Sequence, residues 1–277
     1  MKTNLTSNLR PLLRASYAFP IAIAALWVVP RNAWAQLYVS QPLLPPGLFG
    51  VVSEYDAKTG GAINASFITG LNEPVGLALL GDKLFVTNSG VSTVGKYDAT
   101  TGAPINASFI TGLKQPAGLA LLGNTLFVAN SRAGTVGKYD AATTMGVAIN
   151  ASFITGLNGP AGLAVKRHGD EREHDEGDAK RDHDTLFVAN SGAGTVGEYD
   201  AKTGGAINVS FITGLNGPAG LALLGDKLFV ANSGANTVGK YDAKTGAPIN
   251  ANFIPGFAPA GIAVKRHGDE REHDDED

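Results

Sequence analysis

The sequence predicts an all-β protein: a single β-propeller of five four-stranded blades, the last of them closed by both chain ends. Three observations predict it. A stretch reading LFVANSRAGTVGKYD at 126–140 recurs almost unchanged at 84–98, 186–200 and 228–242. Tyr55, Tyr97, Tyr139, Tyr199 and Tyr241 mark the copies at spacings of 42, 42, 60 and 42 residues, the 60 being 42 with two insertions. The composition, with 36 Gly and no Cys in 277 residues, suits many short strands joined by tight turns. A fixed period near forty residues with strand-like content is the mark of a propeller array.

Each repeat reads as four strands. In the first full copy, 75–80 (VGLALL) alternates larger apolar residues with small ones, and Gly81-Asp82 turns the chain. Residues 84–87 (LFVT) form a β-branched and aromatic strand, followed by a turn at Asn88-Ser89-Gly90. Residues 93–97 (TVGKY) are the third strand. Asp98 opens the next turn, its carboxylate accepting from backbone N–H groups two residues on, and Gly102 tolerates positive φ. Residues 105–110 (INASFI) are the outermost strand. Pro116 leads into the next blade and, having no N–H, is expected outside the ladder.

The same four strands recur over 117–154, 161–212 and 219–254. The ends supply the remaining blade. Residues 260–264 (AGIAV) form its innermost strand, and 37–40, 51–55 and 63–68 its outer three. A blade split in this way ties the ring shut and leaves no open sheet edge. The alternative is a fragment of a larger propeller, because Gln41 to Phe49 fits the repeat poorly and contains Pro42, Pro45 and Pro46.

The chain divides into a signal peptide at 1–35, a propeller at 36–264 with a charged insertion at 166–184, and a charged tail at 265–277. Lys2, Arg10 and Arg14 precede an apolar run at 18–29 (AFPIAIAALWVV), and Ala33-Trp34-Ala35 supplies the small residues that a signal peptidase reads. Cleavage is expected before Gln36, placing the mature protein in the periplasm or outside the cell. The run is short for a bilayer and is interrupted by Pro20, so no stable membrane insertion is expected after cleavage. The absence of Cys leaves sheet packing to supply stability in place of disulfides.

The net charge of -3 is unevenly spread. The insertion carries five basic and eight acidic residues, the tail three and seven, and the leader four basic ones. The remaining body has ten of each and sums to zero, so it lacks the clustered Lys and Arg that nucleic acid requires.

The repeat PAGLALLGNTLFVANSRAGTVGKYD resembles the NHL and YVTN families of propeller repeats, over about residues 50–264. LFVAN stands where those families have LYVAN or YVTN. The resemblance implies a secreted bacterial propeller of unassigned biochemistry.

The candidate sites are few. All five histidines, His168, His174, His183, His267 and His273, lie in the two charged segments, whose near-identical sequences follow the first strand of a blade. Dense His and carboxylate can bind divalent metal loosely, but the spacing matches no tight zinc pattern, and a solvated polyampholyte is the simpler reading. Asn88, Asn130, Asn190 and Asn232 form a ring of one residue type. Lactonase-like propellers hold a metal with unlike ligands from different blades; here each Asn is expected to cap the turn after its strand. Asp56, Asp98, Asp140, Asp200 and Asp242 each offer one carboxylate, too few for calcium, and are expected to shape turns. The sequons at Asn64, Asn106, Asn150 and Asn208 follow the repeat period, so duplication explains them without glycosylation.

No catalytic, cofactor-binding or metal residue is therefore assigned. The favoured function is a non-enzymatic secreted module that binds an unidentified protein or carbohydrate. The alternatives are a hydrolase or lyase resembling lactonases or streptogramin lyases, and loose metal binding through the charged segments.

Overall fold

A computed structural model describes residues 36–41, 49–56, 59, 61–167, 183–256, 259 and 261–262. The fold is all-β: five antiparallel sheets arranged in a ring, a five-bladed β-propeller. Blade one holds β1 (Gln36–Gln41), β2 (Gly50–Asp56) and β3 (Ala62–Leu71). Blade two holds β4 (Pro74–Leu80), β5 (Lys83–Asn88), β6 (Thr93–Asp98) and β7 (Pro104–Ile110). Blade three holds β8 (Pro116–Leu122), β9 (Thr125–Asn130), β10 (Thr135–Asp140) and β11 (Ala148–Ile154). Blade four holds β12 (Pro160–Lys166), β13 (Thr185–Asn190), β14 (Thr195–Asp200) and β15 (Ala206–Ile212). Blade five holds β16 (Pro218–Leu224), β17 (Lys227–Asn232), β18 (Thr237–Asp242) and β19 (Pro248–Pro255).

The core lies between blades, because the faces of neighbouring sheets pack on one another. Phe85, Val94 and Phe109 of blade two pack on Leu126, Val128 and Tyr139 of blade three. Equivalent residues join blades one and two, three and four, and four and five. Within each blade the aromatic residue of the second strand meets that of the fourth, as in Phe85–Phe109 at 5.3 Å and Phe187–Phe211 at 5.2 Å. Tyr38 takes the phenylalanine position in blade one, 5.4 Å from Phe67.

Two expectations need correction. The inter-blade prolines do join the ladder: Pro116 opens β8 opposite Asn130, and Pro74, Pro160 and Pro218 do the same in their blades. A proline at the first residue of a strand gives up only one bond at the ladder's end. The outermost strands are also less regular than read. In blade two, Val94 pairs with Ile110 but Lys96 with Asn106, so β7 bulges between them. The Asn106 carboxamide oxygen accepts from the Ser108 N–H at 3.0 Å and supports this bulge. Asn64, Asn150 and Asn208 do the same at the other sequons, so each has a local structural role.

The proposed closing strand at 260–264 lies outside the described residues except for Gly261 and Ile262. Ile262 packs against Ala222, Phe229 and Val238 of blade five. In the repeat it corresponds to Leu221, which packs in the same way on blade four. Residues 1–35, read above as a signal peptide, residues 42–48, most of the insertion and the whole tail also lie outside the described residues.

Candidate binding site

The recurring sequence builds a recurring polar device. In the third strand, Gly95 and Tyr97 share a face, since side chains alternate along a strand. A Cβ on Gly95 would stand 2.5 Å from the Tyr97 ring, so the tyrosine lies back over the glycine. Gly137, Gly197 and Gly239 admit Tyr139, Tyr199 and Tyr241 in the same way. This posture carries the hydroxyl to the asparagine that ends the second strand. Burial pushes the Tyr97, Tyr139 and Tyr199 hydroxyls up in pKa, and hydrogen bonds from Asn88, Asn130 and Asn190 oppose it.

These asparagines do not cap the turns that follow them. At Asn88, Asn130 and Asn232 the succeeding 3-10 turn receives no side-chain hydrogen bond from the cap residue. The carboxamide instead points toward the connection between blades. Asn232 Oδ1 accepts from the Asn216 N–H at 2.6 Å, and Asn130 Oδ1 meets the Lys114 N–H at 3.4 Å. Tertiary geometry overrides the local preference: the tyrosine hydroxyl engages the amide at Asn88, Asn130 and Asn190, and the Asn216 N–H engages it at Asn232. Asn88 Oδ1 and Asn190 Oδ1 are buried and accept no hydrogen bond.

The aspartates behave as read. Asp98 Oδ1 accepts from Thr100 N, Thr101 N and Thr101 Oγ1 at 2.9, 2.8 and 2.9 Å. These donors hold the Asp98 carboxyl below its ordinary range, the Thr101 N–H contributing most. Asp200 and Asp242 are lowered too. Burial, the largest influence on each, works the other way and is outweighed by donors from the following turn.

One set of residues was passed over as part of a neutral body. Lys96, only 3% exposed, crosses to blade three and donates to Ala141 O at 3.0 Å and Thr143 O at 2.9 Å. Its ammonium also lies 5.0 Å from the Phe109 ring centre. Burial pushes the Lys96 pKa down, with Lys83 adding to the effect. Lys138 makes the same crossing to Ala201 O and Lys202 O at 3.3 Å. The same strand position holds Glu54 in blade one and Glu198 in blade four, both buried. The sequence signal was an ionisable residue at an inward-facing strand position, beside the tyrosine of every repeat.

The axial end of each blade is built for close approach. A Cβ on Gly76 would stand 2.2 Å from Ala117 O, one on Gly118 2.2 Å from Ala161 O, and one on Gly162 1.9 Å from Ala219 O. Innermost strands thus pack backbone to backbone. Across β4, β8, β12 and β16 the only ionisable residue is Lys166, at the end of β12. It pairs with Asp226 at 3.0 Å, and Lys244 joins the same carboxylate at 3.3 Å. Among the described residues no three His, Cys, Asp or Glu come together as a metal site. His168, His174, His267 and His273 lie outside the described residues.

A cavity of about 520 Å³ opens between blades three and four. Its walls include Phe153 and Asn158 from blade three and its connection, and Asn190, Thr195, Tyr199 and Ser210 from blade four. No charged side chain lines it.

The fold and these sites define a five-bladed β-propeller whose buried polar groups lie between its blades rather than along its axis. No protein-family model matches the chain, and no curated protein is significantly similar to it.

Proposed function

We propose that this chain is a non-enzymatic secreted binding or scaffold module, of the NHL and YVTN repeat type, from a bacterium. The observation that carries the reading is the use of its buried charges. Lys96 and Lys138 each spend their ammonium on carbonyls of the next blade, and the described innermost strands bring no ionisable side chain to the axis except Lys166 at a strand end. Catalysis needs unlike groups in convergent roles, a base near a nucleophile or an open metal position. At the described innermost strands the near-identical blades supply like, uncharged groups in a ring. The leader-like sequence at 1–35 supports export, and the neutral body supports a partner other than nucleic acid.

Calorimetric titration with calcium, zinc and manganese tests the reading on the mature protein and on a variant lacking 166–184 and 265–277. Micromolar metal binding that survives the deletion would place a metal on the propeller and favour an enzyme. Binding lost with the deletion would assign it to the charged segments. Amino-terminal sequencing of exported protein tests the leader, with Gln36 expected as the first residue.

A further inference from the structure

The seam between blades five and one differs from the other seams. Phe67 and Ile68, Phe109 and Ile110, and Phe211 and Ile212 end their outermost strands and pack on the blade that follows, 3% to 6% exposed. Phe253 and Ile254 of β19 hold the same register but are 42% and 43% exposed. On the facing blade Leu37 is 41% exposed, whereas its counterparts Leu84, Leu126, Leu186 and Leu228 are at most 1%. Toward the axis the same seam is joined, because Ile262 packs on Ala222, Phe229 and Val238. The seam is thus made at its inner end and open at its rim.

Lys240 marks the same difference. It holds the strand position of Lys96 and Lys138, which cross to the next blade and donate to its carbonyls. Its ammonium lies 5.2 Å from the Phe253 ring centre, much as that of Lys96 lies 5.0 Å from Phe109. Among the described residues, however, it reaches no carbonyl of blade one.

We propose that this seam opens and closes at its rim, hinged on the Ile262 contact and latched by Lys240. The structure holds the open form. In the closed form Phe253, Ile254 and Leu37 are covered as their counterparts are. The Lys240 ammonium then donates to blade one in the turn that begins at Asp56, by the crossing that Lys96 and Lys138 make one and two blades after it.

Apolar burial drives the closing. The chain path explains why this seam and no other opens. β3 runs on into β4, β7 into β8, β11 into β12 and β15 into β16, so each later blade is tethered to the one before. β19 and β1 are the last and first described strands, and packing alone joins them. Openings of this local kind need less free energy than global unfolding.

The test is maleimide labelling of single introduced thiols in the mature protein, since the chain has no cysteine of its own. Ile254→Cys reports the seam. Ile249→Cys lies on the same strand at a residue 47% exposed, and Ile212→Cys is the buried counterpart in blade four. Ile110→Cys replaces the latter if it fails to fold. The expected Ile254→Cys rate is about tenfold below that of Ile249→Cys, as for a seam open about a tenth of the time, and well above that of Ile212→Cys. Lys240→Met is expected to bring the Ile254→Cys rate close to that of Ile249→Cys and to leave Ile212→Cys unchanged. A rate for Ile254→Cys equal to Ile249→Cys would mean a seam fixed open, and one equal to Ile212→Cys a sealed seam. Either would overturn the proposal, and a rate unmoved by Lys240→Met would overturn the latch.

Discussion

The Lys96 ammonium donates to the Thr143 carbonyl oxygen at 2.9 Å, across the boundary between blades two and three. The two residues are 47 apart in sequence and belong to different repeats. A second bond to Ala141 O makes the contact a clamp between two sheets that share no ladder. A buried ammonium is costly unless its donors are satisfied, and here carbonyl oxygens and the Phe109 ring face supply the partners.

Replacing Lys96 by Met keeps most of the volume and leaves both carbonyls without this donor. The expected loss is about 1–3 kcal/mol, seen as a lower urea midpoint with an unchanged slope. Lys138→Met should lose less, because its bonds are longer at 3.3 Å and the residue is only half-buried. Equal stability of Lys96→Met and wild type would refute the clamp.

Gly95→Ala places a methyl group 2.5 Å from the Tyr97 ring. The ring must leave its place over the strand, losing its hydrogen bond to Asn88, at a cost of about 1–3 kcal/mol. Tyr97→Leu removes the obstacle, so Gly95→Ala should cost far less in that background. A double-mutant cycle on thermal or urea unfolding reads the coupling, and additive costs would show that the ring does not require the glycine.

The Asp98 turn predicts a pH dependence. Its folded carboxyl titrates below the ordinary value, with the Thr101 N–H as the first cause. The carboxylate's contribution is therefore complete above the unfolded pKa and disappears as pH falls through the lower folded one. Asp98→Ala should be less stable than wild type at neutral pH. The gap should close on acidification, as the pH falls from above the unfolded carboxyl's ordinary value through the lower folded one. A gap that stays constant through this window would mean that the charge has no part in the turn.

Ile262 tests the closure of the ring. It packs on Ala222, Phe229 and Val238, the place Leu221 holds one blade earlier. Ile262→Ala should cost about 2–5 kcal/mol if the site is as well packed as an ordinary core. Truncation before Pro259 should cost at least as much, since it exposes the same face of blade five. Calorimetric unfolding of both variants at unchanged temperature would show that this end of the chain does not close the ring.

Strand order, blade number and turn chemistry were legible because each depends on residues close together in the chain. Asp98 with Thr100 and Thr101, and the apolar, β-branched run of Leu84 to Thr87, are settled within a few residues. The period then places each strand in its blade. Tertiary structure decided which like residues differ in role. Asn190 and Asn232 sit in nearly identical sequences, LFVANSGAG and LFVANSGAN, yet only Asn232 Oδ1 meets a backbone N–H. Lys96 is one cation among many until the next blade brings Ala141 O and Thr143 O to its ammonium. The physical reason is the steepness of hydrogen bonding with distance. A repeat specifies positions to within about an ångström, whereas the packing of one blade on the next settles the last few tenths that make or leave a bond.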